Sequence, residues 1–279
     1  MATKELPTRV RISPERISLA QTLRDFQKFR ELLLILSWRE ISVRYKQTAL
    51  GFFWVLLQPL ASAFIFAFLL GHLGKLPSDH MPYLVFSFIG LTLWNLFAQG
   101  LDRASASIVL DERLISKVYF PRWLIPLAAV LSTAPDFLIN FVFANLLLGL
   151  NGFYPGWQII VALPVILFVG MLAASVGLVL AALTVRYRDF RFVVPFCLQM
   201  GLFASPVLYS LTLLQPGLRS FAYLNPLAGS IEIFRHALTN SLAAIDGWGC
   251  ALSFGTGIVI CIVCVEIFRR MEDDLADLI

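Results

Sequence analysis

The chain is predicted to be an all-α polytopic membrane protein with six transmembrane helices, and three observations predict it. Hydrophobic residues make up 58% and charged residues only 14% of the sequence, against about 45–50% and about 25% in an average soluble domain. Uncharged stretches run over 47–74, 80–101, 137–185, 192–218 and 247–265, and about 20 apolar residues cross a roughly 30 Å hydrocarbon core. The stretch 137–185 is long enough for two crossings, and the turn cluster Asn151-Gly-Phe-Tyr-Pro-Gly156 divides it. Spans are therefore expected near 52–72, 83–103, 124–150, 157–184, 192–210 and 248–268, with both termini on one side. Third, Lys and Arg number ten in 1–46, four in 103–122, three in 186–191 and two at 269–270, while the opposite loops hold Lys75, Arg219 and Arg235. That bias puts both termini in the cytoplasm. The net charge of +4 is then a topology signal, and a nucleic-acid partner is not indicated.

Residues 1–22, with Pro7 and Pro14, read as a flexible basic leader. They show no early apolar core and cleavage site, so the first span is expected to serve as the insertion signal. From Leu23, apolar residues recur at helical spacing (Phe26, Phe29, Leu33, Leu36) with Arg24, Lys28 and Arg30 between them. The pattern predicts an amphipathic helix over 23–46, lying on the cytoplasmic membrane face or packed on the protein's own surface. Arg39, Arg44 and Lys46 then sit at headgroup level, Trp38, Tyr45 and Trp54 suit an interfacial belt, and Gly51 with Pro59 can bend the entry to the first span.

In the first external loop, His72 and His80 read as solvated residues rather than a metal pair. Within the second span Trp94, Asn95 and Gln99 place polar groups among aromatics, to bond a neighbouring helix or to line a pore. Residues 111–123 form a polar and aromatic island: Arg113 and Lys117 are interleaved with Leu114, Ile115, Val118, Tyr119 and Phe120 ahead of Pro121-Arg122. A helix over 105–118 is expected there. Apolar residues displayed among charges point to docking in a groove, of the membrane surface or of another protein. Asp136 is the one ionisable residue well inside a span. An intramembrane carboxylate requires a partner or water, and either a structural hydrogen-bond site or a translocation role accommodates it. In the fourth span Gly170, Ala173, Ala174, Ser175, Gly177, Ala181 and Ala182 allow close helix approach. Past the fifth span, 211–245 is apolar in pieces too short to cross and is broken by Pro216 and Pro226, which predicts short re-entrant helices. Glu232, Arg235 and His236 share one helix face, suited to local ion pairing or to contact with a diphosphate or acidic sugar. Cys197, Cys250, Cys261 and Cys264 read as packing residues, and 271–279 as an acidic cytoplasmic tail.

Several fragments fall in order along the chain: Arg44-Tyr-Lys-Gln-Thr-Ala-Leu-Gly51, Trp54 with Pro59-Leu60, Pro82-Tyr83, Gly90-Leu91 with Trp94, Leu114-Ile115, Lys117-Val-Tyr-Phe-Pro-Arg122, Tyr187-Arg-Asp189, Ser205-Pro-Val-Leu-Tyr209 and Asn225-Pro226. Over about 30–245 the set resembles the permease subunits of type-2 ABC exporters that move lipid-linked polysaccharides (O antigens, capsules, teichoic acids). The resemblance implies a transmembrane domain over 47–270 in a homodimer, with two separate ATP-binding cassette subunits, an undecaprenyl-diphosphate-linked glycan as substrate, and a bacterial inner-membrane location. It makes 105–118 a coupling helix seated in the nucleotide-binding subunit, with Arg113, Leu114, Ile115, Lys117, Tyr119, Phe120, Arg122, Arg39 and Arg44 at that contact. Pro206, Asn225, Pro226, Glu232 and Arg235 would form an external gate. Trp54, Phe86, Trp94, Asn95, Phe97 and Tyr209 could line a path on which sugar rings stack.

Gly71-His-Leu-Gly-Lys75 has neither the spacing nor the setting of a phosphate-binding loop. The chain is thus expected to bind no cofactor itself and to depend on a partner for ATP and Mg, as a transport subunit rather than an enzyme. A type-2 exporter of small drugs or lipids would share this architecture. A membrane-embedded glycan enzyme would need paired carboxylates or metal ligands at one face, and the scattered acids do not supply them.

Overall fold

A computed structural model of the chain describes residues 19–46, 51–78, 81–115, 117, 120–241 and 245–278, with side chains followed between 27 and 272. Most of the leader expected over 1–22 lies outside the described residues. Among those described there is helix and no strand.

Helix α1 (Leu19–Tyr45) corresponds to the amphipathic segment. Leu33 and Leu36, with Phe29 and Leu32, pack on Leu124, Ile125 and Ala128, while Leu34, Ile35 and Trp38 stay exposed. The helix therefore has one face on the protein and a second apolar face turned outward. Next come α2 (Gly51–Phe66), prolonged by a wider π-helical stretch Ala67–Leu73, and α3 (Tyr83–Leu110), which runs past its expected end at 103. The helix expected over 105–118 is divided. Residues 105–110 complete α3, Asp111 leaves the helical register (φ −101°, ψ 18°), and only one turn follows, α4 (Glu112–Ile115). At the break the Asp111 carboxylate meets Arg39, whose Nη2 lies 2.5 Å away.

The third span is broken into α5 (Leu124–Leu131) and α6 (Ala134–Leu150). Ser132 and Thr133 at the break turn their hydroxyls back to the carbonyls of Ala129 and Val130, and Pro135 follows. A 3₁₀ turn (Trp157–Val161) leads into α7 (Ala162–Arg186). Helix α8 (Phe190–Ala204) has 15 residues, about 22 Å at 1.5 Å per residue, where a crossing over 192–210 was expected. Ser205 stops it in an extended conformation (φ −98°, ψ 150°), as a residue preceding proline favours. The following segment holds a 3₁₀ turn (Leu211–Leu213), α9 (Pro216–Ala222) and α10 (Pro226–Leu238). Finally α11 (Gly247–Leu278) carries the last span and continues as helix through the acidic end, which is therefore no separate tail. Among the described residues, five stretches are long and apolar enough to cross a membrane: Phe53–Leu73, Tyr83–Leu110, Leu124–Leu150, Trp157–Arg186 and Gly247–Glu272.

Helix α3 is the centre of the bundle. Its apolar window is 72% buried, against 11% for the span containing α2, so α3 is core and α2 periphery. Phe86, Phe88, Ile89 and Leu93 are fully enclosed. Alongside α3 runs α7, and Gly177 sets their approach: a methyl group there would come within 2.5 Å of the Ala104 Cβ. Gly170, one of the small residues expected to pack closely, has open space beside it. Replacing Gly177 with Leu forces the pair apart, at a cost of about 1–3 kcal/mol for overpacking. Thermal unfolding in detergent should therefore shift down for Gly177→Leu and stay near wild type for Gly170→Leu.

Candidate functional site

Two polar junctions, one at each end of the bundle, hold the buried charged side chains Asp136, Glu232 and Arg235. At the first, α1 ends in Arg44 and Tyr45, and both reach Asp136 near the start of α6. Arg44 Nη1 lies 2.6 Å from Asp136 Oδ2, and its Nη2 donates to Ser132 Oγ at 3.1 Å. Arg103 of α3 reaches the same carboxylate oxygen at 3.2 Å, and the Tyr45 hydroxyl donates to the other oxygen. The Asp136 side chain is 6% exposed, and two guanidinium groups with a phenol supply what so buried an anion requires. Burial, followed by the hydrogen bond to Asp136, pushes the Tyr45 phenol up to about 12. It thus remains a protonated donor at every ordinary pH.

One helical turn further along the same face of α6 is Asn140, whose Nδ2 donates to the Val55 carbonyl at 3.3 Å. Pro59 has no N–H to give that carbonyl, which lies four residues before it. Asn140 thereby satisfies the group the proline leaves open. A single face of α6 holds α1 through Asp136 and α2 through Asn140, and Arg39–Asp111 adds a tie from α1 to the end of α3. These contacts give Asp136 the structural role allowed for it.

The residues expected at a partner contact divide into two groups here. Arg113 and Lys117 are exposed. Leu114 and Ile115 instead turn back against the α1–α5 cluster, and Phe120 is buried in it. Arg122 donates to the Glu272 carbonyl of α11 at 3.2 Å, while Arg39 and Arg44 are engaged as described. Tyr119 lies outside the described residues. Among the described residues of the island, the exposed side chains are the charged Glu112, Arg113 and Lys117.

The second junction joins fragments far apart in sequence. The Tyr83 hydroxyl donates to the Leu208 carbonyl. Asn225 Nδ2 donates to Ser205 Oγ at 2.9 Å while its Oδ1 caps α10 at the Leu227 N–H. Arg235, buried on α10, lies over the Phe86 ring with its guanidinium carbon 3.6 Å from the centroid, and its Nη2 donates to the carbonyls of Pro206 and Val207 at 3.3 and 3.2 Å. Gly90 makes room for this: a side-chain carbon there would meet the Val207 carbonyl at 2.7 Å and Arg235 Nη2 at 2.8 Å. Glu232 turns instead to the Tyr223 hydroxyl (2.6 Å) and Arg219 (3.7 Å), so it and Arg235 form no ion pair among the described residues. Burial raises the Glu232 carboxyl, partly countered by the Tyr223 hydroxyl and Arg219. Pro206, Asn225, Pro226, Glu232 and Arg235 are thus one packed unit joining α3, α8, α10 and α11.

The aromatics expected along a path are scattered. Trp54 is exposed on α2, Phe86 is enclosed beneath Arg235, and half-buried Tyr209 bonds the Ala204 carbonyl. Trp94 and Phe97, with ring centroids 5.9 Å apart, share an apolar cleft beside α8, and Asn95 is half-buried on α3. Sequence reasoning missed Arg44, Arg103 and Tyr45 as partners of Asp136, although an intramembrane acid demands a cation and Arg44 heads the first quoted fragment. If Arg44 and Asp136 act as a pair, Arg44→Gln and Asp136→Asn should be non-additive. Unfolding in detergent is expected to give a coupling of about 1–3 kcal/mol, and trypsin should cut after Lys46 faster in both single variants.

The family model for the ABC-2 type transporter matches residues 31–239, from α1 to the last residues of α10 and through both junctions. The O-antigen export system permease protein RfbA of Myxococcus xanthus is 29% identical over 198 residues, covering 71% of this chain and 75% of that protein. Two proteins of the same name from Klebsiella pneumoniae are 25% and 24% identical over 251 residues, each covering 89% of this chain and 95% of the relative. Since the family match takes in well over half of the sequence, the chain belongs to the ABC-2 type transporter family.

Proposed function

We propose that this chain is the membrane-spanning permease subunit of an ATP-driven exporter that carries O antigen, or a similar lipid-linked polysaccharide, from the cytoplasm across the inner membrane. The observation that carries this reading is the alignment of 89% of the chain with 95% of proteins named for O-antigen export. In this reading α8, together with the turn residues 205–210 behind it, completes a sixth crossing, and the Lys and Arg bias supports a cytoplasmic position for both termini. Two copies pair, because α2 and α8 expose Trp54, Phe64, Phe196 and Phe203. Two ATP-binding subunits, holding ATP and Mg, dock beneath, and the cargo is an undecaprenyl-diphosphate-linked glycan.

The first junction supplies the mechanical link. A push on Arg113 and Lys117 at α4 meets an α1 tied to α3 by Arg39–Asp111 and to α6 by Arg44–Asp136. Displacement there moves α1, α3 and α6 together and carries α2 along through Asn140. Movement of α2 alters the exposed face on which Trp54 stands. This reading makes Arg113→Glu combined with Lys117→Glu insert normally but lose co-purification with the co-expressed ATPase and lose its stimulated ATP turnover. Surface polysaccharide at wild-type level in a strain carrying only that double variant would overturn the coupling role. Deletion of the chain is expected to leave lipid-linked O antigen accumulating on the cytoplasmic side.

A further inference from the structure

Helix α8 is loosely seated on the bundle. Of its 15 residues it buries one, Val194, and between it and the wall formed by α3, α7 and α11 lies a cleft of about 340 Å³. The floor is made by Trp94, Phe97, Leu172 and Val176, and the α8 side by Cys197 and Gly201. Among the described residues no charged side chain lines it. Its main polar groups, Ser205 and Asn225 at one end, are hydrogen-bonded to each other.

The volume lies in the range of small-ligand sites, about 300–1,000 Å³, and its surroundings restrict the occupant. The floor residues lie on the apolar stretches Tyr83–Leu110 and Trp157–Arg186, so the cleft opens at hydrocarbon depth. An apolar void gives water no hydrogen-bonding partners, and left empty it would deprive its lining of dispersion contacts. The fluid available to fill it is the lipid chain. A diphosphate headgroup would find no cation in these walls, which separates the site from the anionic end of a polyprenyl carrier.

We propose that the cleft behind α8 is a binding site for one acyl chain of a bilayer phospholipid, whose headgroup stays outside it. The chain completes the packing of α8 against α3 and α7, much as a side chain would. Trp94 and Phe97 are then walls of a lipid site rather than sugar-stacking platforms.

The test uses the full chain in vesicles of phosphatidylethanolamine and phosphatidylglycerol doped with a phospholipid bearing a diazirine at its tail. After irradiation, adducts mapped by mass spectrometry are expected on the inner-wall residues Leu172 and Val176 and on Cys197. Val176→Trp, which fills the cleft, should reduce the Leu172 and Cys197 adducts about tenfold while those on outward-facing Val259 and Ile262 of α11 persist. Adducts confined to Val259 and Ile262 would overturn the proposal. So would loss of the inner adducts on adding an equimolar polyprenyl diphosphate, which would assign the cleft to that chain, or their loss only where a second copy is cross-linked over it. Should Val176→Trp fail to accumulate, alkylation of Cys197 in delipidated wild-type protein decides. Restoring phospholipid to about ten times its dissociation constant should slow that reaction about tenfold, and an unchanged rate overturns the site.

Discussion

The carboxylate of Asp136 is the constraint from which the arrangement of the first half of the chain follows. An anion so deeply buried is stable only with compensating charge, and Arg44 and Arg103 bring that charge from two other helices. Satisfying it fixes where α1 ends, how far α3 must run for Arg103 to arrive level with α6, and why the third span breaks at Ser132-Thr133, which frees Ser132 to receive Arg44. The Asn140 contact to Val55 then sets α2 against the same face. Arg44 and Arg103 are each roughly a quarter exposed, so the cluster stands at a boundary between the bundle and its surroundings. Such a position suits a joint between an interfacial helix and the spans.

The second junction works by different physics. There the unsatisfied groups are backbone carbonyls, exposed where α8 stops at Ser205-Pro206 and the chain turns. Arg235 and Tyr83 donate to three of these carbonyls, and the Arg235 guanidinium lies flat on Phe86 as a desolvated cation over a ring does. The absent side chain at Gly90 is as necessary as the groups present. One joint is held by ion pairs and the other by hydrogen bonds to an irregular backbone, with the stiff pair α3 and α7 between them.

Much of the fold could be read from residue patterns, because hydropathy directly measures the cost of placing a segment in lipid. The windows ending at Lys75, Asp102 and Arg186 located three spans to within a few residues, except where α3 runs on past Asp102. The small-residue face of α7 was equally visible, since Gly177 and Ala181 have few other uses in an apolar helix. What periodicity cannot give is the identity of the neighbour. Asp136 announced a need for a cation, yet nothing local pointed to Arg44, 92 residues earlier. Aromatic residues were least informative. Phe86 and Trp54 look alike in sequence, and one lies sealed under Arg235 while the other faces outward. The helix expected over 105–118 is divided at Asp111, which caps α3 and meets Arg39 of α1, and local propensity carries no record of so distant a partner.

The central place of α3 bears on how the chain is made. It leaves the ribosome second among the spans, yet the residue that closes over Phe86 is Arg235, about 150 positions later. At about 5–20 residues per second of synthesis, roughly ten to thirty seconds pass before that cation exists. Through this interval the ring of Phe86 and the gap at Gly90 face lipid or the insertion machinery, and α3 holds its place through α2 and, as they emerge, α5 and α6. The nascent protein therefore matures from its basic end toward the opposite one, with the joint around Asp136 set while the last two helical segments are still being translated.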